Sequence, residues 1–158
     1  VPKPTPVYTR LREQIIRLKP GEVGIFSTPD LPHVWGVLME IGFPKAAVTL
    51  VALADGTASL YYGTGGGIVG GGHHAVVAAA ARAMVASAEG FLQDMSSTSK
   101  FPLPDVGWVV FYVLTYTGAC TAVAIDGDLR AGGQPLSPLY YRGQEVITQL
   151  RLLEEGKS

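Results

Sequence analysis

Apolar residues recur along the chain with two different periods, and the change of period marks its elements. Tyr8, Leu11, Ile15 and Leu18 stand three and four residues apart, with Arg10, Glu13 and Arg17 outside that stripe, which is the spacing of one helix face. Thr5-Pro6 supplies an N-cap followed by proline at the first helical position. Lys19-Pro20-Gly21 stops the run, so a helix is expected over 5–18. Residues 21–33 read as a connector. A three-stranded meander follows over 34–62, its strands at 34–43, 46–54 and 57–62. Asp55-Gly56 between the last two predicts a hairpin with a type I′ turn. After a glycine-rich loop at 63–72, Val77, Ala81, Met84, Ala88, Phe91 and Met95 repeat by four and three, which predicts a long helix over 73–95. A polar, proline-marked loop leads to a second hairpin over 107–125, and residues 130–135 read as loop. Ser137-Pro138 repeats the Thr5-Pro6 device and opens a last helix over 138–154, with Val146, Ile147, Leu150 and Leu153 inward.

The strands do not alternate as a solvated sheet should. In the first strand of the second hairpin Val109, Phe111 and Val113 face one way, while Trp108, Val110, Tyr112 and Leu114 face the other. Residues 46–54 and 119–125 are similarly apolar on both sides. Both faces must then be covered, by helices or by another subunit. The expected fold is α+β: a five-stranded antiparallel sheet (three strands, long helix, two strands) with the central helix on one face and the two terminal helices on the other. Covering such a face stabilises by about 25 cal/mol per Å² of apolar surface, more than any single polar contact.

Composition narrows the function classes. The 158 residues suit a single domain, and 47% of them are hydrophobic against 16% charged, which excludes a disordered chain. The longest apolar candidate, 75–95, is interrupted by Arg82, Ser87, Glu89, Gln93 and Asp94, so no segment reaches the ~18 unbroken apolar residues of a spanning helix. A formal net charge of −1 leaves no electrostatic footprint for nucleic acid or an anionic membrane. One cysteine, Cys120, excludes an intrachain disulfide and suits a reducing compartment. Val1-Pro2-Lys3-Pro4 carries no signal-peptide pattern, and a cytoplasmic location is expected.

The order of elements from Tyr8 to Glu154 resembles the profilin-like folds, in particular Roadblock and longin domains; Val34-Trp35-Gly36-Val37-Leu38 and Ala54-Asp55-Gly56 are similar to the first hairpin of such domains. The resemblance implies a non-catalytic, homodimeric scaffold that binds small GTPases or their regulators. It is one of topology alone, a weak licence for function.

Candidate chemistry concentrates in the glycine-rich loop. Gly65-x-Gly67-x-x-Gly70 has the form of a dinucleotide fingerprint between a strand and a helix. Its preceding strand, however, belongs to an antiparallel hairpin rather than a βαβ unit, and no Walker A lysine closes the run. Gly65, Gly67, Gly70, Gly72, His73 and His74 are the candidate ligand-binding residues. The competing reading is a close-packed connection into the helix. His73 and His74 are adjacent, so on a helix they diverge by about 100° and chelate a metal poorly; no metal site is expected. Cys120 lies in an apolar strand and reads as a small buried hydrophobe. Ser96-Ser97-Thr98-Ser99 lacks a nucleophile elbow, and Asp126 and Asp128 read as turn residues. Glu40, Glu89, Glu145 and Glu154 are isolated in sequence, so no acid–base pair is assigned, nor any catalytic residue or cofactor. The tyrosines and tryptophans read as core or interface. Three function readings result, the last an enzyme of unrecognised type, which would need a convergent polar pocket. The first is a homodimeric protein-interaction module. The alternative is a small-molecule or nucleotide binder at the glycine-rich loop and the helix N-terminus.

Overall fold

The structure, a computed structural model, describes residues 1–156. Helix α1 (Pro6–Ile16) begins as its sequence predicts: the Tyr8 N–H donates to Thr5 Oγ1 at 3.4 Å, and Pro6 takes the first helical position. Strands β1 (Val34–Gly42), β2 (Ala47–Leu53) and β3 (Ala58–Tyr62) form the meander. The β2–β3 hairpin exists, but its turn differs from expectation. The Leu53 N–H donates to the Thr57 carbonyl at 2.9 Å and closes a loop of Ala54-Asp55-Gly56, in which the Gly56 N–H donates to the Leu53 carbonyl at 3.0 Å and Gly56 alone has positive φ (+92°). This is the three-residue loop ending in a left-handed glycine. Asp55 stays out of that region because its carboxylate accepts the Thr57 N–H at 2.9 Å and needs no mirror-image turn to do so.

Two short strands that apolar periodicity does not announce extend the sheet. They are β4 (Gly67–Ile68), inside the glycine-rich segment, and β5 (Ser96–Thr98), inside the polar loop. Together with β6 (Trp108–Thr115) and β7 (Gly118–Ile125) they make one antiparallel seven-stranded sheet in the order β4-β3-β2-β1-β6-β7-β5. The five expected strands are therefore its central five, and backbone pairing of glycine and serine residues adds an edge at each side. A register shift between Val34 and Gly36 puts Val34 and Val37 on the same face of β1.

Helix α2 (Ala75–Glu89) is shorter than expected and starts after the two histidines. It ends at Gly90, although Phe91 and Met95 still pack on the core. A short helix α3 (Asp126–Arg130) replaces the expected turn after β7, and α4 (Ser137–Glu155) closes the chain. Ser137 does not cap α4. Its buried hydroxyl donates to the Leu129 carbonyl at 2.8 Å and accepts the Gln134 N–H at 3.3 Å, which ties α3 to α4.

The layering corrects the expectation in one respect. α4 lies beside α2 on the same face of the sheet, not beside α1. Val77, Ala81, Met84 and Val85 of α2 and Leu139, Tyr140, Val146 and Leu150 of α4 share one core with Val37, Met39, Leu50, Phe111 and Val113. Gly143 permits this, since a Cβ there would stand 2.6 Å from the Met39 sulfur and 3.1 Å from Met84 Cε. The other face carries a second core, in which Tyr8, Leu11 and Ile15 of α1 meet Trp35, Leu38, Val51, Tyr61 and Tyr112. No helix among the described residues is long and apolar enough to cross a membrane.

Candidate functional site

The glycine-rich segment is folded back on its own chain. After β3 a tight turn brings the Gly65 N–H to the Tyr62 carbonyl at 2.8 Å and the Tyr62 N–H to the Gly66 carbonyl at 2.9 Å. β4 then pairs with β3, Gly67 opposite Tyr61 and Ile68 opposite Leu60. A Cβ on Gly67 would lie 2.6 Å from the Leu60 carbonyl oxygen, and one on Gly72 would lie 2.9 Å from both the Gly56 carbonyl and Thr57 Cα. Gly71 sits directly against the Leu150 side chain and Val77. The space these residues save is filled by the protein itself. Gly65 lies at an exposed turn beside Thr5, whose N–H donates to the Gly63 carbonyl at 2.9 Å. Gly70, at φ +74°, reverses the chain into the single turn that precedes α2.

His73 and His74 are both exposed, and the His74 side chain makes no capping hydrogen bond. The third histidine is far from them. His33 Nδ1 lies 2.6 Å from Glu89 Oε1 at the opposite end of α2, roughly 22 Å away by the rise of a 15-residue helix. Glu89 also accepts the Val34 N–H at 2.9 Å, so it joins the end of α2 to the start of β1. The structure thus gathers Gly67 and Gly72 into packing and separates the histidines.

Glu40, isolated in sequence, is the centre of a buried polar network. Arg12 donates from Nε to Glu40 Oε2 at 2.6 Å and from Nη2 to Oε1 at 2.7 Å, and Nη2 also reaches the Phe101 carbonyl at 2.7 Å. Thr49 Oγ1 donates to Oε2 at 2.6 Å. With that hydrogen committed, Tyr8 is the donor in its 2.5 Å contact with Thr49. Glu40 is fully buried and the Arg12 side chain is 12% exposed. Burial, followed by the Glu40 charge, pushes the Tyr8 phenol up to about 12. Every buried side-chain oxygen and nitrogen among the described residues, those of the network included, has a partner. The network holds α1, β1, β2 and the segment around Phe101 together.

That segment crosses the α1 face of the sheet as a strap. Phe101 packs on Tyr112 with ring centroids 5.0 Å apart, and Tyr112 Oη donates to the Pro102 carbonyl. Beside it lies an open groove of about 600 Å³ whose floor is β6 and β7. Trp108, Val110 paired with Val123, and Tyr112 paired with Thr121 make the floor, and Ile125, the partner of Trp108, continues the same face beside it. Trp108 is 39%, Val123 54% and Ile125 43% exposed. The cause is geometric. An 11-residue helix about 10 Å across spans two strands at ~4.8 Å spacing, and α1 lies on the β1–β3 side. Lys100 and Asp105 stand on the rim of the groove. The run 108–114, apolar on both faces, signals this surface in the sequence; whether a helix reaches it is not written there.

Compared with family models, curated proteins and solved structures, the chain matches none.

Proposed function

We propose that the chain is a non-catalytic interaction module that forms a homodimer through the uncovered β6–β7 part of the sheet. One observation carries the reading: Trp108, Val123 and Ile125 form a continuous apolar strip, open to water, on a face that is elsewhere covered. Contiguous exposed apolar surface of this kind marks interaction sites. A second copy is the chosen occupant because the rim is self-complementary. In a two-fold contact residue i meets residue j of the other copy and the reverse, so Lys100 of each copy faces Asp105 of the other across the paired grooves. The Arg12–Glu40 cluster, whose buried polar atoms all have partners within the chain, supports a non-catalytic role. The close approach of Gly67, Gly71 and Gly72 to the chain's own atoms makes a ligand at the glycine-rich loop the second reading.

Light scattering and sedimentation of the whole chain test this. The wild type should be dimeric at micromolar concentration, and Val123→Glu monomeric. Lys100→Glu places two acids together and should weaken the dimer, while adding Asp105→Lys should restore it. Ala79→Glu, on the exposed side of α2, should leave it intact. A monomeric wild type, or a dimer that survives Val123→Glu and breaks with Ala79→Glu, would refute the proposal.

A further inference from the structure

A second concavity, on the opposite face of the sheet, has the chemistry of a small-molecule site. It measures about 480 Å³ and lies where α3 and α4 leave the ends of β1 and β3 uncovered. Ile41 and Leu60, both buried members of the α2–α4 core, line it from the sheet. Tyr62 and Gln144 add a phenol and an amide, and Arg130 and Arg151 add two guanidinium groups. Its lining contains no carboxylate. Gln144, Ile147 and Arg151 follow one another by three and four on α4, so one helical face presents all three to the pocket.

The charges are arranged for an anion from outside. Arg130 is steadied from behind, with Nη2 3.2 Å from Asp126 Oδ2 and its guanidinium 5.9 Å from the centre of the Tyr140 ring. Asp126 is occupied further by the Tyr140 hydroxyl at 2.7 Å. The Arg130 side chain is 64% exposed, so the rest of its fork of donors remains for a planar anion. Arg151, an exposed residue on the neighbouring helix, supplies the second cation. The volume is that of ordinary small-molecule sites, and the lining sets five apolar side chains, Ile41, Phe43, Val48, Leu60 and Ile147, beside four polar ones.

We infer that this pocket binds an amphiphilic carboxylate, with its carboxyl group between Arg130 and Arg151 and its hydrocarbon body on Ile41 and Leu60. Tyr62 and Gln144 are placed to hydrogen-bond the head group. The inference is independent of the dimer proposal, because the pocket and the β6–β7 groove lie on opposite faces of the sheet.

Decanoate, decanol and inorganic phosphate are the probes, titrated into the ¹⁵N-labelled whole chain and followed by amide chemical shifts and calorimetry. Decanoate should shift Leu60, Tyr62, Gln144 and Ile147 and leave Trp108 and Val123 unmoved. Decanol, which lacks the charge, should bind at least about tenfold more weakly, and inorganic phosphate should not compete effectively. Arg151→Gln, an exposed helix position whose change leaves the fold intact, should weaken decanoate about tenfold and decanol little; Arg130→Gln should do the same. Equal affinity for decanol and decanoate overturns the inference, as does decanoate binding unchanged in both arginine variants. Competition by phosphate at equal strength would make the site a general anion site and overturn the assigned ligand class. Shifts confined to the β6–β7 groove would overturn the location.

Discussion

Removing one partner of the Arg12–Glu40 pair should destabilise the protein far more than removing both. In Arg12→Leu, Glu40 Oε1 loses the guanidinium donor and a fully buried carboxylate keeps only Thr49. Breaking a buried pair in this way costs about 3–5 kcal/mol, a large share of the ~5–15 kcal/mol that a domain has in total. In a chain of 158 residues each kcal/mol lowers Tm by roughly 2–4 °C, so a fall on the order of 10 °C is expected. Glu40→Leu should cost about as much, since it leaves the guanidinium with only the Phe101 carbonyl and the Tyr112 ring and no opposite charge. The double variant Arg12→Leu/Glu40→Leu removes both charges and leaves Thr49 bonded to Tyr8, so about 0–2 kcal/mol is expected. Equilibrium urea unfolding of the four proteins gives the coupling energy, several kcal/mol in this account. Repeating the cycle at high salt should change it little, because a buried pair is poorly screened. Single variants that cost less than ~1 kcal/mol, as for an exposed pair, would refute the reasoning, as would a double variant equal to the sum of its parts.

Gly143→Ala and Gly127→Ala should act in opposite directions in urea. The first drives a methyl group against the ends of the buried Met39 and Met84 side chains, an overpacking of about 1–3 kcal/mol from which the ~1 kcal/mol gain of alanine over glycine in a helix is subtracted, a net loss of about 0–2 kcal/mol; the second adds one in open space on a helix and should stabilise by about 0.4–1 kcal/mol. The reverse order would show that α4 does not pack on β1 as described. Alkali should unfold the protein late and cooperatively. Burial first, aided by Glu40 for Tyr8 and Tyr112 and by Asp126 for Tyr140, pushes these three phenols from 10.0 up to about 12. A raised value in the folded state means that their contribution is intact below pH 10.0 and is lost as pH climbs through about 12. Phenolate absorbance followed beside circular dichroism should show these groups ionising together with unfolding, and their ionisation near the ordinary value in a still-folded protein would contradict the burial assigned to them.

The one-dimensional pattern determined the elements, because their causes are local. Thr5-Pro6 caps α1 wherever the helix packs, and the stripe from Val77 to Ala88 can only be one face of a helix. The strand run from Val109 to Leu114 required cover on both sides whatever supplied it. What tertiary structure alone decided was which surfaces meet. β4 and β5 exist because Gly67 and Ser96–Thr98 find a neighbouring backbone, and hydrogen bonds between main chains leave no trace in side-chain periodicity. α4 lies beside α2 because Gly143 lets it approach Met39 and Met84, residues about a hundred and about sixty positions earlier in the chain. Glu40 reads as an isolated acid until the fold brings Arg12 and Thr49 to it. Trp108 reads as core or interface until the short reach of α1 leaves it at the surface, and Arg130 and Arg151 share a pocket only because α3 packs beside α4 on the sheet. Periodicity records what each segment must bury; the partner it buries against is chosen by shape and distance in three dimensions.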